Sequence, residues 1–253
     1  EEILLASAYE SLNSNNSDFS AIRAFRSPHH TSTRSSIFGG GSGAAKIGEV
    51  ALANGGVLFF DEFPHFGKQI LESLREPLED YKINISRVNS KVSYDTKFLF
   101  AAAMNPCPCG NAFSKNNVCT CSDKEIAKYK NVISGPILDR IDIYCAMGEI
   151  NDTDVPSYSS KQMSAMVLNA FKNQIERGQN ELNGKLNDSD IANFCILDSD
   201  ATEIVNRAIS SYNLSQRGIN KTLKVARTIA DLRDAKTISK VDIIESLSYR
   251  MKR

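Results

Sequence analysis

The spacing of hydrophobic positions changes along the chain and separates a mixed part from a purely helical one. In the first part, residues 57–60 form a continuous apolar run after Gly55 and Gly56, and residues 97–104 form a second run. Continuous runs of this length are typical of buried strands in a parallel sheet. Residues 83–86 and 91–94 alternate with a period of two and predict a β-hairpin.

Helical spacing accounts for most of the remaining chain. In the first part it predicts helices over 3–12, 46–54, 69–79 and near 123–130, with loops at 13–20, 26–31 and 39–43. The polar segment 151–160 is a break in composition, and beyond it the spacing predicts helices over 162–177, 190–194, 200–211, 217–235 and 240–251. We therefore expect an α/β domain with a parallel sheet over residues 1–152 and an all-helical domain over 153–253.

Composition restricts the partners and the cellular location that the protein can have. The 30 basic and 30 acidic side chains give a formal charge of zero, so any contact with DNA must come from local patches or from the channel of a ring. Neither a membrane-spanning run nor a signal peptide is visible in the sequence, which favours a cytoplasmic location without a membrane partner. The chain begins with Glu1 and Glu2 rather than Met, so we expect it to be part of a longer protein.

Two adjacent carboxylates, Asp61 and Glu62, follow the apolar run 57–60 directly. Ligands bind outside the carboxyl ends of the strands in open α/β sheets. At that place Asp61 can hold Mg²⁺, directly or through water, while Glu62 polarises an attacking water. This is the layout of a Walker B element in a nucleotide hydrolase. A plain strand followed by a helix cap gives the same local pattern and is the alternative.

Four of the six cysteines lie within fifteen residues, as Cys107-Pro-Cys109 and Cys119-Thr-Cys121. Four thiolates can form a closed tetrahedral Zn²⁺ site that fixes a loop. The usual spacing in zinc knuckles is C-x-x-C, so free buried thiols and a disulfide formed after purification remain alternatives.

A series of segments in one order carries a resemblance to a known family. They are 25–31 (FRSPHHT), 39–41 (GGG), 48–53 (GEVALA), 54–63 (NGGVLFFDEF), 74–79 (LREPLE), 85–87 (ISR), 102–110 (AAMNPCPCG), 134–142 (SGPILDRID) and 225–232 (VARTIADL). With these segments the chain resembles the magnesium-chelatase-like AAA+ ATPases, specifically the ComM/YifB competence-protein family. The resemblance implies an AAA+ core followed by a helical lid domain.

One motif of that family is absent from this sequence. Family members carry a P-loop, G-x-x-x-x-G-K-[ST], which cradles the phosphates of ATP, ahead of the segment that residues 1–4 resemble. Residues 39–46 contain glycines and a lysine, but at the wrong spacing. We therefore interpret the chain as the carboxyl-side part of an ATPase and expect no ATP hydrolysis from it alone.

The resemblance implies a role for each of five residues. Asp61 is the Mg²⁺-site carboxylate and Glu62 the water-orienting base. Asn105 corresponds to sensor 1, with a turn residue before Pro106 as the alternative. Arg140 corresponds to the arginine finger that reaches the γ-phosphate in a neighbouring subunit, with an internal salt bridge to Asp139 or Asp142 as the alternative. Arg217 corresponds to sensor 2, with a solvated residue at a helix start as the alternative, and Gln216 departs from the small residue usual there.

Two further groups of residues have weaker implied roles. The hairpin over 83–94 resembles one that points into the central channel of related motors, where Arg87 and Lys91 would contact a DNA backbone; simple solvation is the alternative. His29 and His30 could bind metal or line the nucleotide site, but a polar loop anchored by its own backbone is favoured.

At the level of the whole protein, the resemblance implies a homo-oligomeric ring, with a hexamer as the expected form. This ring couples ATP hydrolysis to DNA remodelling such as helicase action or branch migration. The cofactors implied are ATP and Mg²⁺. Two alternative interpretations remain: a chelatase-type motor that remodels a partner protein, and a non-catalytic binding module held by zinc.

Overall fold

The chain folds as two compact units, Glu1–Arg140 and Ile141–Arg253, called here the α/β unit and the helical unit. The computed structural model describes residues 2–11, 22–40, 46–86, 91–151, 153–212 and 214–250. The division at residue 140 lies ahead of the composition break at 151–160, so that polar segment falls within the helical unit.

The α/β unit contains a parallel sheet and a separate hairpin. Its strands are β1 (Phe25–Arg26), β2 (Val57–Phe60), β3 (Lys82–Ser86), β4 (Lys91–Asp95) and β5 (Leu99–Ala102). Strands β1, β2 and β5 form a three-stranded parallel sheet in the order β1-β2-β5, whereas β3 and β4 pair antiparallel with each other. The parallel sheet and the hairpin both agree with the sequence prediction, although β5 is shorter than the run over 97–104.

Strand β1 was not predicted, because it has only two residues and no periodicity of its own. It exists through its pairing with β2, in which the N–H of Val57 donates to the carbonyl oxygen of Ala24 at 2.8 Å. Gly56 permits this close approach, since a Cβ atom there would lie 2.0 Å from the Ala24 oxygen.

Short helices precede, connect and follow the strands of the α/β unit. They are α1 (Glu2–Ser11), α2 (Arg34–Phe38), α3 (Glu49–Leu52), α4 (Lys68–Ser73), α5 (Arg75–Glu79), α6 (Asp123–Lys130) and α7 (Gly135–Leu138). The single helix predicted over 69–79 is divided at Leu74 into α4 and α5. Pro77 accounts for the division, because its ring supplies no N–H for the carbonyl of Ser73.

The parallel sheet is covered on one face. Leu58 and Phe60 of β2 are fully buried, and the ring of Phe60 stacks on that of Phe66 with centroids 4.1 Å apart. Phe25 and Leu99 are exposed on 64% and 66% of their surface. The prediction of a buried strand holds for the run over 57–60, in which no residue is exposed, and is wrong for the run over 97–104, because Leu99 and Ala102 of β5 are exposed.

The helical unit consists of the elements that the sequence predicted beyond residue 160. They are α8 (Ser160–Glu176), α9 (Asp188–Phe194), α10 (Ser199–Tyr212), α11 (Gln216–Leu232) and α12 (Lys240–Ser248). Their buried residues form one cluster that includes Ile191, Ala226 and Ile243. Asp198 caps α10 by accepting a hydrogen bond from the N–H of Ala201 at 2.7 Å. Throughout the described ranges, helices are too short or too polar to cross a membrane.

A buried ion network ties α11 to its surroundings. The side chain of Arg227 is 0% exposed and that of Asp231 1% exposed, and their nearest charged atoms are 3.0 Å apart. Arg177 donates to both Asp231 oxygens at 2.8 Å, and Asn183 donates to one of them at 2.7 Å. Arg227 also donates to the carbonyl oxygen of Lys236. Each buried charge is therefore compensated by its neighbours.

We predict that Asp231→Ala destabilises the helical unit by about 3–5 kcal/mol, because Arg227 remains buried without its carboxylate. Glu203→Ala is the matched control, since Glu203 forms an exposed pair with Arg207 one helical turn away. Its loss should change the free energy of unfolding by less than about 0.5 kcal/mol. Urea unfolding of the 253-residue chain, followed by circular dichroism, measures both. Equal effects of the two substitutions would contradict the network's importance.

Candidate functional site

The carboxyl ends of β2 and β5 meet at one rim of the parallel sheet. Phe60 lies opposite Ala102 in the register of the two strands. Their backbone pairing continues past the strands, because the N–H of Ala103 donates to the Phe60 oxygen and the N–H of Phe63 donates to the Ala103 oxygen, both at 2.9 Å. The two residues between Phe60 and Phe63 are therefore held next to the end of β5.

Those two residues are Asp61 and Glu62, and both are exposed at the rim. The N–H of Glu62 donates to Oδ1 of Asp61 at 2.9 Å. Glu62 adopts a left-handed backbone conformation, with φ 51° and ψ 44°. This conformation costs an ordinary side chain about 1–2 kcal/mol. Strained backbone of this kind often marks functional sites.

All three histidines of the chain lie at this rim. Nδ1 of His30 is 2.9 Å from Oε2 of Glu62. The ring of His30 lies between those of His29 and His65, with centroid distances of 4.2 and 5.8 Å. His29 instead contacts Thr31 within its own loop. The favoured interpretation, a polar loop anchored by its own backbone, thus describes His29. His30 instead contacts the carboxylate of Glu62. The position of His65 at the rim was not predicted from the sequence.

Asn105 follows β5 by three residues and is exposed. Its backbone N–H hydrogen-bonds the hydroxyl of Tyr129 on α6. Partial burial raises the pKa of Tyr129, the bond from Asn105 opposes this rise, and the nearby charge of Glu62 adds to it. The Tyr129 ring also meets that of His65 edge-on at 5.9 Å. Tyr129 therefore connects the Asn105 turn with the Glu62 side of the rim, a role that sequence reasoning missed.

The rim offers a carboxylate ligand of the kind that Mg²⁺ prefers. Mg²⁺ usually keeps several waters and takes one or two protein carboxylates together with phosphate oxygens. The exposed carboxylate of Asp61 meets that requirement. Within the described part of the chain, a convergent group of three or more potential metal ligands occurs at the four clustered cysteines.

The sulfur atoms of Cys107, Cys109, Cys119 and Cys121 all lie within 4.8 Å of one another. The Sγ atom of Cys107 is 3.4 Å from that of Cys109 and 3.6 Å from that of Cys119. Hydrogen bonds from the backbone N–H groups of Asn111 and Thr120, together with the Cys107 thiol, lower the pKa of the Cys109 thiol to about 6. The structure thus brings together the four cysteines that the sequence grouped.

Arg140 is turned into the α/β unit, with only 10% of its side chain exposed. Its Nε lies 3.1 Å from Oε2 of Glu79, and its Nη1 donates to the carbonyl oxygen of Pro136 at 2.7 Å. The internal salt bridge weighed from the sequence named Asp139 or Asp142 as partner. Arg140 forms an ion pair with Glu79, which the sequence did not suggest, and Asp142 pairs with Lys221.

The remaining predicted residues belong to other elements or lie outside the described residues. Arg217 is exposed near the start of α11 in the helical unit, where Ser215 caps the helix. Arg87 lies outside the described residues. The backbone of Lys91 pairs with Ser86 at the last described rung of the hairpin. Contacts of Arg87 and Lys91 with DNA stay predictions.

Comparison with known proteins identifies the class to which this geometry belongs. The family model described as "Magnesium chelatase, subunit ChlI" matches residues 1–155, and that described as "Magnesium chelatase, subunit ChlI C-terminal" matches residues 157–250. The chain therefore belongs to the magnesium-chelatase-like AAA+ ATPases.

Individual relatives make the similarity more specific. The chain is 39% identical to YifB of Escherichia coli (strain K12) and 37% identical to competence protein ComM of Haemophilus influenzae, each over 233 residues. Both alignments cover 90% of this chain and 45% of the relative, so the chain spans less than half the length of these curated relatives. DNA replication licensing factor MCM2 of Arabidopsis thaliana is 30% identical over 145 residues, or 56% of this chain and 13% of that protein.

We predict that Glu62→Gly raises the stability of the α/β unit by about 0.5–1 kcal/mol, because glycine adopts the left-handed conformation without steric cost. Glu62→Gln is the control: it keeps the strained backbone and should change stability by less than about 0.5 kcal/mol. Chemical unfolding of both variants measures the difference. A loss of stability in the glycine variant would show that the side chain of Glu62 outweighs its backbone strain.

Proposed function

We propose that this chain is the carboxyl-side part of a ring-forming AAA+ ATPase that couples ATP hydrolysis to DNA remodelling. The observation that carries the proposal is the rim of the sheet, where Asp61 and Glu62 follow β2 and Asn105 follows the adjacent parallel strand β5. Phosphoryl transfer depends on positioned groups and charge neutralisation more than on covalent chemistry. A rim with two carboxylates and an amide suits that task.

In this proposal Asp61 would hold Mg²⁺, which would supply charge neutralisation for the phosphates. Glu62 accepts the proton of the attacking water, and its contact with His30 at 2.9 Å orients the carboxylate. Asn105 positions the water or the γ-phosphate through its neutral amide. The left-handed backbone of Glu62 directs its side chain away from the course of β2.

The phosphate cradle of this proposal comes from a P-loop, which the 253-residue sequence does not contain. The chain alone is therefore inactive, and activity belongs to a longer protein. ATP and Mg²⁺ are the catalytic cofactors. Zn²⁺ has a structural place at the clustered cysteines.

The proposed assembly is a closed homo-oligomeric ring, with a hexamer as the expected form. A head-to-tail ring lets Arg140 of each subunit approach the nucleotide of its neighbour. Arg217 acts as sensor 2 from the helical lid. The ion pair between Arg140 and Glu79 must then open when the neighbouring nucleotide is engaged.

DNA is the proposed substrate, in helicase action or branch migration during competence. The names of two relatives support this choice, since one is a competence protein and the other a DNA replication licensing factor. The hairpin formed by β3 and β4 would present Arg87 and Lys91 to the DNA backbone, where basic side chains bind phosphates. We place this activity in the cytoplasm.

A motor that remodels a partner protein is the second candidate. The description of the matching family model, a subunit of magnesium chelatase, favours it. The two candidates differ in what stimulates ATP hydrolysis: DNA in the first and a protein partner in the second.

We predict that Glu62→Gln in the P-loop-containing protein slows ATP hydrolysis about 10²–10⁴-fold while leaving ATP binding intact, because a general base supplies rate and not affinity. Glu203→Gln, an exposed carboxylate change in the helical unit, should leave the rate unchanged. Phosphate release is measured with and without branched DNA. Full activity in Glu62→Gln would overturn the proposed site, and hydrolysis insensitive to DNA would favour the second candidate.

We predict that Arg140→Ala slows hydrolysis about 10³–10⁵-fold in the assembled protein, because an arginine finger acts on transition-state charge. In rings mixed from wild-type and Arg140→Ala subunits, the loss of activity should be proportional to the fraction of subunits whose neighbour lacks Arg140.

Glu79→Gln removes the internal partner of Arg140 and serves as the control. It should keep or raise the rate if Arg140 acts on a neighbour's nucleotide. If both substitutions lower the melting temperature equally and neither slows hydrolysis, Arg140 is a structural residue and the finger assignment is wrong.

A further inference from the structure

The segment from the end of β5 to the end of α6 has almost no hydrophobic core. Between residues 103 and 130, Cys107 is the one described residue whose side chain is buried. Phe113 and Val118 are exposed on 64% and 84% of their surface, and α6 buries no side chain. Short segments that bury little apolar surface usually depend on a metal ion or a covalent link for their order.

The spacing of the four sulfur atoms fits a metal ion. Zinc–sulfur bonds of about 2.3 Å in a tetrahedron place neighbouring sulfurs about 3.8 Å apart. The Sγ atoms of Cys107 and Cys109 are 3.4 Å apart, and that of Cys119 is 3.6 Å from each. A disulfide would need a separation of about 2.0 Å. The cluster is therefore close to the size of a four-thiolate ligand set and too open for a disulfide.

Backbone N–H groups surround these sulfurs. Those of Asn111 and Thr120 hydrogen-bond Cys109, that of Cys121 hydrogen-bonds Cys119, and that of Cys109 hydrogen-bonds Cys121. Such outer-shell donors orient metal ligands and stabilise charge on thiolates. The loop thus has the secondary contacts of a metal site as well as its ligands.

We infer that Cys107, Cys109, Cys119 and Cys121 bind a zinc ion that positions Asn105 at the rim of the sheet. Asn105 lies two residues before Cys107, and Asp123, at the start of α6, lies two residues after Cys121.

The same ion therefore tethers both partners of the contact between the Asn105 backbone and Tyr129 on α6. The turn around Gly110 completes the link, since a Cβ atom there would lie 4.0 Å from Cγ of Asn105. Loss of the ion would release both sides of this contact at once. Only the role of Asn105 in ATP hydrolysis rests on the proposed function.

The first test is the metal content of the 253-residue chain, by native mass spectrometry and elemental analysis. We expect about one zinc ion per chain in the wild type and in Cys145→Ser, and none in Cys119→Ser. Cys145 is the matched control because it is an exposed cysteine outside the cluster. Iron in place of zinc, four alkylatable thiols without metal, or a mass lower by two hydrogen atoms from a disulfide would each overturn the zinc site.

The second test is amide hydrogen exchange around Asn105, which needs no ATP hydrolysis and so stays informative if the ATPase proposal fails. Removal of zinc by a chelator should accelerate exchange of the Asn105 amide about tenfold or more. Tyr129→Phe should retain zinc yet accelerate exchange of that amide about fivefold, since it loses one hydrogen bond. Unchanged exchange at Asn105 after zinc removal would overturn the positioning role while leaving the metal site in place.

Discussion

The parallel pairing of β2 with β5 is the constraint on which the candidate site depends. Parallel strands end at the same edge of a sheet, so the carboxylates after β2 and the amide after β5 reach one rim although about forty residues separate them in sequence. The register also decides which side chains are buried. A slip of one residue would expose Leu58 and Phe60 and turn the rim residues to the other face.

At Glu62, long-range packing offsets a locally strained backbone. Its left-handed backbone is unfavourable for a residue with a side chain. The aromatic packing on both sides of it, with Phe60 and Phe63 both almost completely buried, fixes the chain before and after the strained position. The favourable burial of these two rings holds Glu62 where its carboxylate meets His30. The site is thus a place where local preference yields to tertiary structure.

Sequence reasoning succeeded where the signal was local. The apolar run of β2, the hairpin, the helices of the helical unit and the clustered cysteines all follow from spacing within a few residues. It missed β1, which exists only through its partner strand, and it missed the gathering of His30, His65 and Tyr129, which come from separate parts of the chain. A weak signal was available, since a chain with only three histidines places two of them in one adjacent pair.

Arg140 shows a different limit of prediction from sequence, because the contacts of this residue depend on the number of chains present. Within one chain the guanidinium has a carboxylate partner in Glu79 and a carbonyl partner in Pro136. A finger role requires that such contacts be exchanged for contacts with a phosphate. The exchange replaces one ion pair by another, so its net free energy is smaller than the strength of either pair. An inward Arg140 in a single chain is therefore compatible with an outward one in a ring.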